Sequence, residues 1–300
     1  MRWLYHVLPR SQASLSKGSY APASLAEEGF VHASYQPLAE ESARLYVEDD
    51  PVALRIDPRR LPVPVVEADT PRGPMPHIHG PVARDAIAGV VEIQALADAP
   101  DRVRGTRIGF VAFEGMTLLD LVGALDPLSR IRSMGFDDSS SCEVIAGTLG
   151  SAVWEGHGAK LRVQRVRPSL AEFDLVVLPG GAGTRQLVKD TAFVRWLGTF
   201  PSNRLATSVC TGSLLWGAAG RLRGKRATTH ASAMGDLAGH GAQAVRARVV
   251  DEGQLVTAAG VSAAIDLGLH LALRLEGPEV ARRIAEQMEL PEGFLALSRP

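Results

Sequence analysis

The residue with the clearest chemical potential is Cys210, in the stretch ATSVCTGSLLWGAAG. It follows a run typical of a β-strand and precedes a run typical of a helix, which Thr211 and Gly212 begin. In α/β proteins the reactive groups gather at the carboxyl ends of the strands, and a helix start stabilises negative charge. We therefore predict a nucleophilic thiol that is ionised near neutral pH. The alternative is a small buried cysteine that only fills space.

Three further segments offer groups that could act beside this thiol. Asp120 follows the predicted strand RIGFVAF, so it could hold the thiol and move protons, or only satisfy a helix start. Gly180 and Gly181 end the predicted strand of LVVLPGGAGT, where their amides could join that of Cys210 as oxyanion donors, or make an ordinary turn. His230 in RATTHAS could be a base or donor, or a hydrogen-bonded loop residue.

The elements that must position these residues fall into two regions of different pattern. From Arg107 onward, short apolar runs alternate with helical patterns, which is typical of βαβ units. We predict a doubly wound, mostly parallel α/β domain over residues 105–300. Residues 1–95 show short strand patterns and one amphipathic helix in LAEESARLYV, and they predict a smaller α+β domain. The loop-like segment ALADAPDRVRGT separates the two.

Composition narrows the classes of function. The 300 residues carry a net charge of −1, so nucleic acid is not an expected partner. No apolar run reaches the ~20 residues that cross a bilayer, and the amino terminus does not resemble a signal peptide. Two cysteines, Cys142 and Cys210, are too few for a disulfide framework or a cysteine zinc site. We expect a cytoplasmic protein that acts on a small molecule without metal or cofactor, with Cys142 structural.

Four segments of the second region carry a resemblance to a known family. They occur in the order TLLDLVG, DLVVLPGGAGT, TSVCTGSLLWGAAGRLRGKRATTH and VTAAGVSAAIDLGLHLAL. From about Arg107 to Leu290 the chain resembles the ThiJ/PfpI superfamily, which is similar to class I glutamine amidotransferases, and within it the isonitrile hydratase type. The resemblance implies a flavodoxin-like sheet, a homodimer formed through this domain and a nucleophilic cysteine at a strand–helix elbow.

The resemblance also implies roles for individual residues. By position, Cys210 matches the family's nucleophile and Asp120 matches the acidic partner that touches it. Gly181 matches a glycine whose amide faces the site. Thr211 matches the threonine that follows the nucleophile in isonitrile hydratases, and His230 matches the histidine of the TTH block.

The implied reaction is the hydration of an isonitrile to an N-substituted formamide. Cys210 would attack the terminal carbon to give a thioimidate while Asp120 supplies a proton, and water would release the product. Thr211 stands where protease-like members have histidine, so a Cys-His dyad is not expected. Ala231 replaces the aromatic residue of the familiar TTHW block, which bears on substrate size. Glyoxalase or deglycase chemistry, or a redox or ligand sensor using Cys210, are the alternatives.

The first region resembles a bacterial family of unknown function, number 952, over about Arg2 to Ile93. This resemblance implies a fold shared with ADP-ribosyltransferases. Its motif-like patches, YHVLP, GFVHASY and MPHIHGPVARDAI, contain the candidates His6, His32, Ser34, His77 and His79. They could share a pocket, with PHIHG as a loop that binds a small ligand or nucleotide. They could instead form a metal site, or each histidine could bond only to nearby backbone groups.

Overall fold

Two units follow one another along the chain, Met1–Val103 and Arg104–Pro300. The computed structural model describes residues 1–13, 18–148, 152–154, 159–163 and 165–291. Each unit has its own hydrophobic core.

In its described residues, the amino-terminal unit contains two small antiparallel sheets and two α-helices. One sheet has the order β1–β3–β6 and the other β2–β5–β4. The strands are β1 (Leu4–Pro9), β2 (Val31–His32), β3 (Pro51–Ile56), β4 (Val65–Thr70), β5 (Gly73–Ile78) and β6 (Ile87–Glu92), and the helices are α1 (Ala23–Glu28) and α2 (Gln36–Tyr46). Its main core includes Leu4, Val31, Val52, Leu54, Ile56 and Ile78.

One expectation for this unit is wrong. The PHIHG segment is not wholly a loop, because its first residues, up to Ile78, lie in β5. The sequence did not indicate this strand because Pro74 and Pro76 cannot donate backbone hydrogen bonds to a neighbouring strand. The two prolines are two positions apart, so their missing N–H groups face the same side of the strand. On the other side, β5 pairs with β4 over its full length.

The carboxyl-terminal unit is built on a six-stranded sheet of order β15–β16–β12–β11–β7–β8. All neighbours are parallel except β15, which pairs antiparallel with β16 at one edge. The strands are β7 (Arg107–Ala112), β8 (Ser141–Ala146), β11 (Leu175–Leu178), β12 (Leu205–Val209), β15 (Val249–Asp251) and β16 (Leu255–Ala258); outside the sheet lie β9 (Ala152–Trp154), β10 (Lys160–Arg162), β13 (Arg226–Ala227) and β14 (Gln243–Ala244). The predicted doubly wound, mostly parallel sheet is confirmed.

Helices cover this sheet. They are α3 (Leu118–Ser133), α4 (Thr184–Leu187), α5 (Thr191–Leu197), α6 (Gly212–Ala218), α7 (Met234–Gly239), α8 (Ala263–Glu276) and α9 (Pro278–Gln287). Every residue of β11 and β12 is buried. This explains why β11 is a continuous apolar run, LVVL, rather than an alternating pattern, whereas β12 also buries Thr207 and Ser208. None of the helices in the described ranges is long and apolar enough to cross a membrane.

The order of the central strands decides which loops meet. β12, β11 and β7 are consecutive neighbours and run parallel, so their carboxyl ends open at the same edge. Cys210 follows β12, Gly180 follows β11 and Asp120 follows β7. Hydrogen bonds at this edge therefore join Gly180 to Asp120, 60 residues away, and Gly181 to Thr211, 30 residues away.

Close packing fixes the helix that carries Asp120. α3 lies against α8 through two glycines, Gly123 and Gly268. A Cβ added to Gly123 would lie 2.7 Å from the Ala264 Cβ, and one added to Gly268 would overlap the ring of Pro127. The absence of side chains at these positions lets α3 approach α8, and this contact holds the first turn of α3 in position.

Candidate active site

Cys210 occupies a strained bend between β12 and α6. Its φ is +55°, in the left-handed region that non-glycine residues rarely adopt. The Cys210 carbonyl accepts hydrogen bonds from the hydroxyls of Thr229 at 2.8 Å and Ser213 at 3.2 Å. Its N–H donates to the carbonyls of Ala258 and Ala259, each at 3.0 Å. These four partners hold the strained backbone, and the residue is 6 % exposed.

Asp120 lies in the first turn of α3 and is fully buried. Its Oδ2 accepts a hydrogen bond of 2.9 Å from the Gly180 N–H. Its Oδ1 is buried and, within the described residues, has no partner at hydrogen-bonding geometry. Burial raises the pKa of Asp120 to about 6, although the Gly180 N–H and the nearby Cys210 thiol oppose that rise. A carboxyl group of this pKa can both accept and release a proton near neutral pH.

The thiol of Cys210 differs from the sequence-based expectation. Burial, and then the negative charge of Asp120, raise the pKa of Cys210 to about 11, while the backbone N–H and hydroxyl of Thr211 act in the opposite direction. The prediction of a thiol ionised near neutral pH is therefore wrong for this structure. The start of α6 does not overcome the loss of solvation. The group at rest is a thiol beside a carboxyl group.

Gly180, Gly181 and Thr211 surround the base of the Cys210 side chain. The Gly180 amide donates to Asp120, and the Gly181 amide donates to the Thr211 hydroxyl at 3.0 Å. The Cys210 amide is also engaged, so the amides predicted as oxyanion donors all have partners in this structure. A Cβ on Gly180 would lie 2.6 Å from the Thr211 nitrogen and 2.7 Å from the Cys210 Cβ. The glycines thus admit and orient the reactive side chains.

Sequence reasoning missed two threonines of the site. The hydroxyl of Thr229 bonds to the Cys210 carbonyl, as described above. The hydroxyl of Thr184, fully buried, lies 3.0 Å from that of Thr211 and donates to the Gly181 carbonyl at 2.8 Å. Both residues belong to motifs already singled out, PGGAGT and TTH. Their hydroxyls were a signal that the sequence contained, but their partners are distant along the chain.

His230 lies close to the sheet edge but serves its own loop. Its Nδ1 accepts a 3.3 Å hydrogen bond from the Ser232 N–H and lies 2.8 Å from the Ser232 hydroxyl, capping a short 3₁₀ turn that begins at Ala231. Its ring packs against Gly260, where a Cβ would overlap it. In the part of the chain that the structure describes, His230 makes no hydrogen bond to Cys210 or Asp120. A role toward substrate remains a prediction.

In the amino-terminal unit, four of the five candidate residues line one pocket of about 630 Å³: His6, His32, Ser34 and His77. His79 is not among the lining residues, and its ring lies 5.6 Å from that of Phe30. Across the described ranges no group of three or more potential metal ligands comes together. The structure therefore places four of the five candidate residues around one cavity.

A parallel sheet with a strained cysteine at a strand–helix elbow, facing a buried acid, defines a flavodoxin-like protein with a cysteine-centred site. Residues 106–273 match the DJ-1/PfpI family, and the chain belongs to this family. Residues 7–90 match a second family, described as a protein of unknown function (DUF952).

Individual relatives refine this assignment. The chain is 35% identical over 184 residues to an isonitrile hydratase of Pseudomonas putida, covering 61% of this chain and 78% of the relative. It is 28% identical to the HTH-type transcriptional regulator CdhR of Pseudomonas aeruginosa, covering 60% of this chain and 54% of the regulator. The crystal structure of a ThiJ/PfpI family protein from Pseudomonas syringae has a TM-score of 0.55 and 30% identity, covering 63% of this chain and 76% of that one. The family thus includes an enzyme and regulators.

Proposed function

We propose that the carboxyl-terminal unit is a cysteine-dependent hydratase that converts an isonitrile to an N-substituted formamide. The observation that carries this proposal is the pairing of Cys210, strained and buried, with the buried carboxyl group of Asp120. The similarity to the Pseudomonas putida isonitrile hydratase supplies the class of substrate.

The resting protonation states suit this reaction. An isonitrile carbon carries a lone pair, so it must gain a proton as a nucleophile attacks it. The pKa of the Cys210 thiol is about 11 and that of the Asp120 carboxyl about 6. A proton therefore leaves sulfur only as the bond from sulfur to carbon forms, with Asp120 carrying that proton to the same carbon. The Oδ1 of Asp120, which accepts no hydrogen bond from the described residues at standard geometry, is the atom available for this transfer.

The first half of the reaction adds S–H across one carbon. R–N≡C and Cys–SH give R–N=CH–S–Cys, in which the new C–S and C–H bonds replace the S–H bond and the lone pair on carbon. In the second half, water adds to the C=N bond with Asp120 as base, giving a tetrahedral adduct. Its C–S bond then breaks, the thiol recovers its proton, and R–NH–CHO leaves. No oxidant or cofactor takes part.

Thr211 is the residue best placed to orient substrate and water. Its hydroxyl is held by the Gly181 amide and by Thr184, and its backbone N–H interacts with the Cys210 sulfur. A donor fixed beside the sulfur can stabilise the sulfur as it gains negative charge. Gly181 contributes to the proposed site by holding the Thr211 hydroxyl. Its amide could donate to substrate only after giving up this hydrogen bond.

Turnover of cyclohexyl isocyanide, followed as N-cyclohexylformamide by mass spectrometry, tests the proposal. Cys210→Ala and Asp120→Asn should each lower turnover by at least about 10³-fold, because each removes a group that takes part in both steps. Cys142→Ala is the matched control, since Cys142 lies at the start of β8 and packs against the core. Full turnover by either of the first two variants would contradict the mechanism.

The match to the HTH-type transcriptional regulator CdhR favours a second candidate function, that of a sensor rather than an enzyme. In that case Cys210 would sense a ligand or an oxidant, and Cys210→Ser would alter binding in a protein that shows no turnover.

Turnover of methylglyoxal, with none of the isocyanide, would instead indicate glyoxalase or deglycase chemistry on the same scaffold.

We also propose a homodimer formed through the carboxyl-terminal unit, in the cytoplasm. The family resemblance supports the dimer, and two apolar side chains of α3, Leu119 and Val122, are 45% and 37% exposed. The low cysteine content, two in 300 residues, suits a reducing compartment. Light scattering at micromolar concentration should give twice the monomer mass, and Leu119→Glu should lower it.

A further inference from the structure

The pocket of the amino-terminal unit has a cationic end with an unbalanced charge. Arg72, in the turn between β4 and β5, lines the pocket together with Tyr46 and Ser42 of α2. Its guanidinium donates to the Ser42 hydroxyl and to the Tyr46 hydroxyl, each at 3.2 Å. Among the residues that the structure describes, no carboxylate forms an ion pair with it. Both contacts are neutral, so the positive charge remains available to a ligand.

One hydroxyl hydrogen beside Arg72 also has no acceptor among the described residues. The Ser34 and Ser42 hydroxyls lie 2.8 Å apart and both residues are buried. One of their two hydrogens can serve the bond between them, and Arg72 can only donate. Within the described ranges the second hydrogen has no recorded acceptor. This end of the pocket therefore has a guanidinium and a hydroxyl hydrogen to donate, which favours a ligand group rich in oxygen acceptors.

The opposite end of the pocket has the opposite character. Glu28 accepts from the His32 Nε2 at 3.0 Å, and its negative charge disfavours an anion there. His32 pairs with His77 in the register of β2 and β5. Gly73, next to Arg72, and His77 lie four residues apart along β5, which corresponds to about 13 Å. A ligand that spans the pocket should therefore place its anionic group at the Arg72 end, away from Glu28.

Between these ends the wall presents aromatic rings and one oriented hydroxyl. Phe30 stacks on His77 with ring centroids 3.9 Å apart. His6 must donate from Nδ1 to the His32 carbonyl at 2.6 Å, because a carbonyl only accepts. Its Nε2 then accepts from the Tyr20 hydroxyl at 2.9 Å, which leaves a Tyr20 lone pair for a ligand donor. The middle of the pocket thus suits a flat or hydroxylated organic group.

We infer that this pocket binds a phosphorylated small molecule, with its phosphate at Arg72 and the Ser34–Ser42 hydroxyl pair and its organic part extending toward Tyr20 and Phe30. A phosphate offers acceptors in a tetrahedral arrangement, so it can receive a guanidinium and a hydroxyl from different directions. The volume lies in the range of small-molecule sites. All of these residues belong to the amino-terminal unit, whereas Cys210 belongs to the carboxyl-terminal unit.

Isothermal titration calorimetry of the full chain tests this inference. The probes are adenosine 5′-monophosphate, ribose 5-phosphate, adenosine, inorganic phosphate and succinate. At least one organic phosphate should bind more tightly than adenosine, phosphate alone and succinate. Arg72→Gln should weaken that binding at least about tenfold and Ser42→Ala by less, because the charged donor contributes more than the neutral one. Arg44→Gln is the matched control, since Arg44 pairs with Glu40 on the exposed side of α2.

Three outcomes would overturn the inference. The first is that no organic phosphate binds at concentrations up to about 10 mM. The second is that adenosine, succinate or phosphate alone binds as tightly as the organic phosphates. The third is that Arg72→Gln, shown by its melting curve to be folded, binds as tightly as the Arg44→Gln control.

Discussion

Replacing Asp120 by Asn should stabilise the protein at neutral pH while removing the proposed hydratase activity. The pKa of Asp120 is about 6 in the folded chain, against 3.8 for an ordinary aspartate. The difference is about two pH units, and each corresponds to about 1.4 kcal/mol, so the buried carboxylate costs about 3 kcal/mol. Asparagine keeps an oxygen for the Gly180 N–H but leaves an NH₂ unsatisfied, which costs about 1 to 2 kcal/mol. We expect a net gain of about 1 to 2 kcal/mol at pH 7.5.

The gain should depend on pH in a defined direction. Between about pH 4 and pH 6 the folded state holds a proton on Asp120 that the unfolded state has lost, so wild-type stability falls as the pH rises. Below pH 4 the carboxyl is protonated in both states, and only the unsatisfied NH₂ remains, so the asparagine variant should be less stable than wild type by about 1 to 2 kcal/mol. The stability of the variant relative to wild type should therefore rise from pH 4 to pH 7 and change sign between them.

Urea unfolding, read by hydrogen exchange in peptides of the carboxyl-terminal unit, measures this difference from pH 4 to pH 8. Asp137→Asn is the matched control of opposite sign. Burial acts to raise the pKa of Asp137, but hydrogen bonds from Ser139, Ser140 and the Gly105 N–H outweigh it and lower that pKa. Asp137→Asn should destabilise the protein at pH 7.5, and less so as the pH falls. A destabilised Asp120→Asn protein at pH 7.5, or an effect independent of pH, would refute the reasoning.

Two further predictions concern the same site. In the Asp120→Asn variant the pKa of Cys210 should fall, because a neighbouring negative charge is removed. Alkylation of Cys210 by iodoacetamide at pH 8 should therefore be faster than in wild type, as measured by mass spectrometry in a Cys142→Ser background. An unchanged alkylation rate would contradict an electrostatic effect of Asp120 on Cys210. Gly180→Ala should cost about 1 to 3 kcal/mol of stability and abolish the proposed turnover, because the added Cβ would lie 2.7 Å from the Cys210 Cβ. Gly235→Ala, in open space within α7, is the control and should melt at or above the wild-type temperature, because alanine favours a helix more than glycine does.

The sequence was most informative where its pattern was local. Alternating apolar runs and helical patterns predicted the doubly wound sheet, and the strand–helix transition at Cys210 predicted the elbow. The strand β5 was not recognised, because its prolines conceal a pairing that only β4 and β2 make possible. In the same way Thr184 and Thr229 stand in conspicuous motifs, yet the Thr211 hydroxyl and the Cys210 carbonyl that they contact lie 27 and 19 residues away.

The amino-acid sequence by itself determined the reactive residue types, their position at strand ends and the family to which the chain belongs. The tertiary structure alone decided their protonation. Cys210 keeps its proton because the folded chain removes water from it and places Asp120 beside it, and both effects depend on neighbours distant in sequence. Desolvation and charge–charge interactions depend on distances in space, so a helix start read from the sequence could suggest an ionised thiol that burial does not permit.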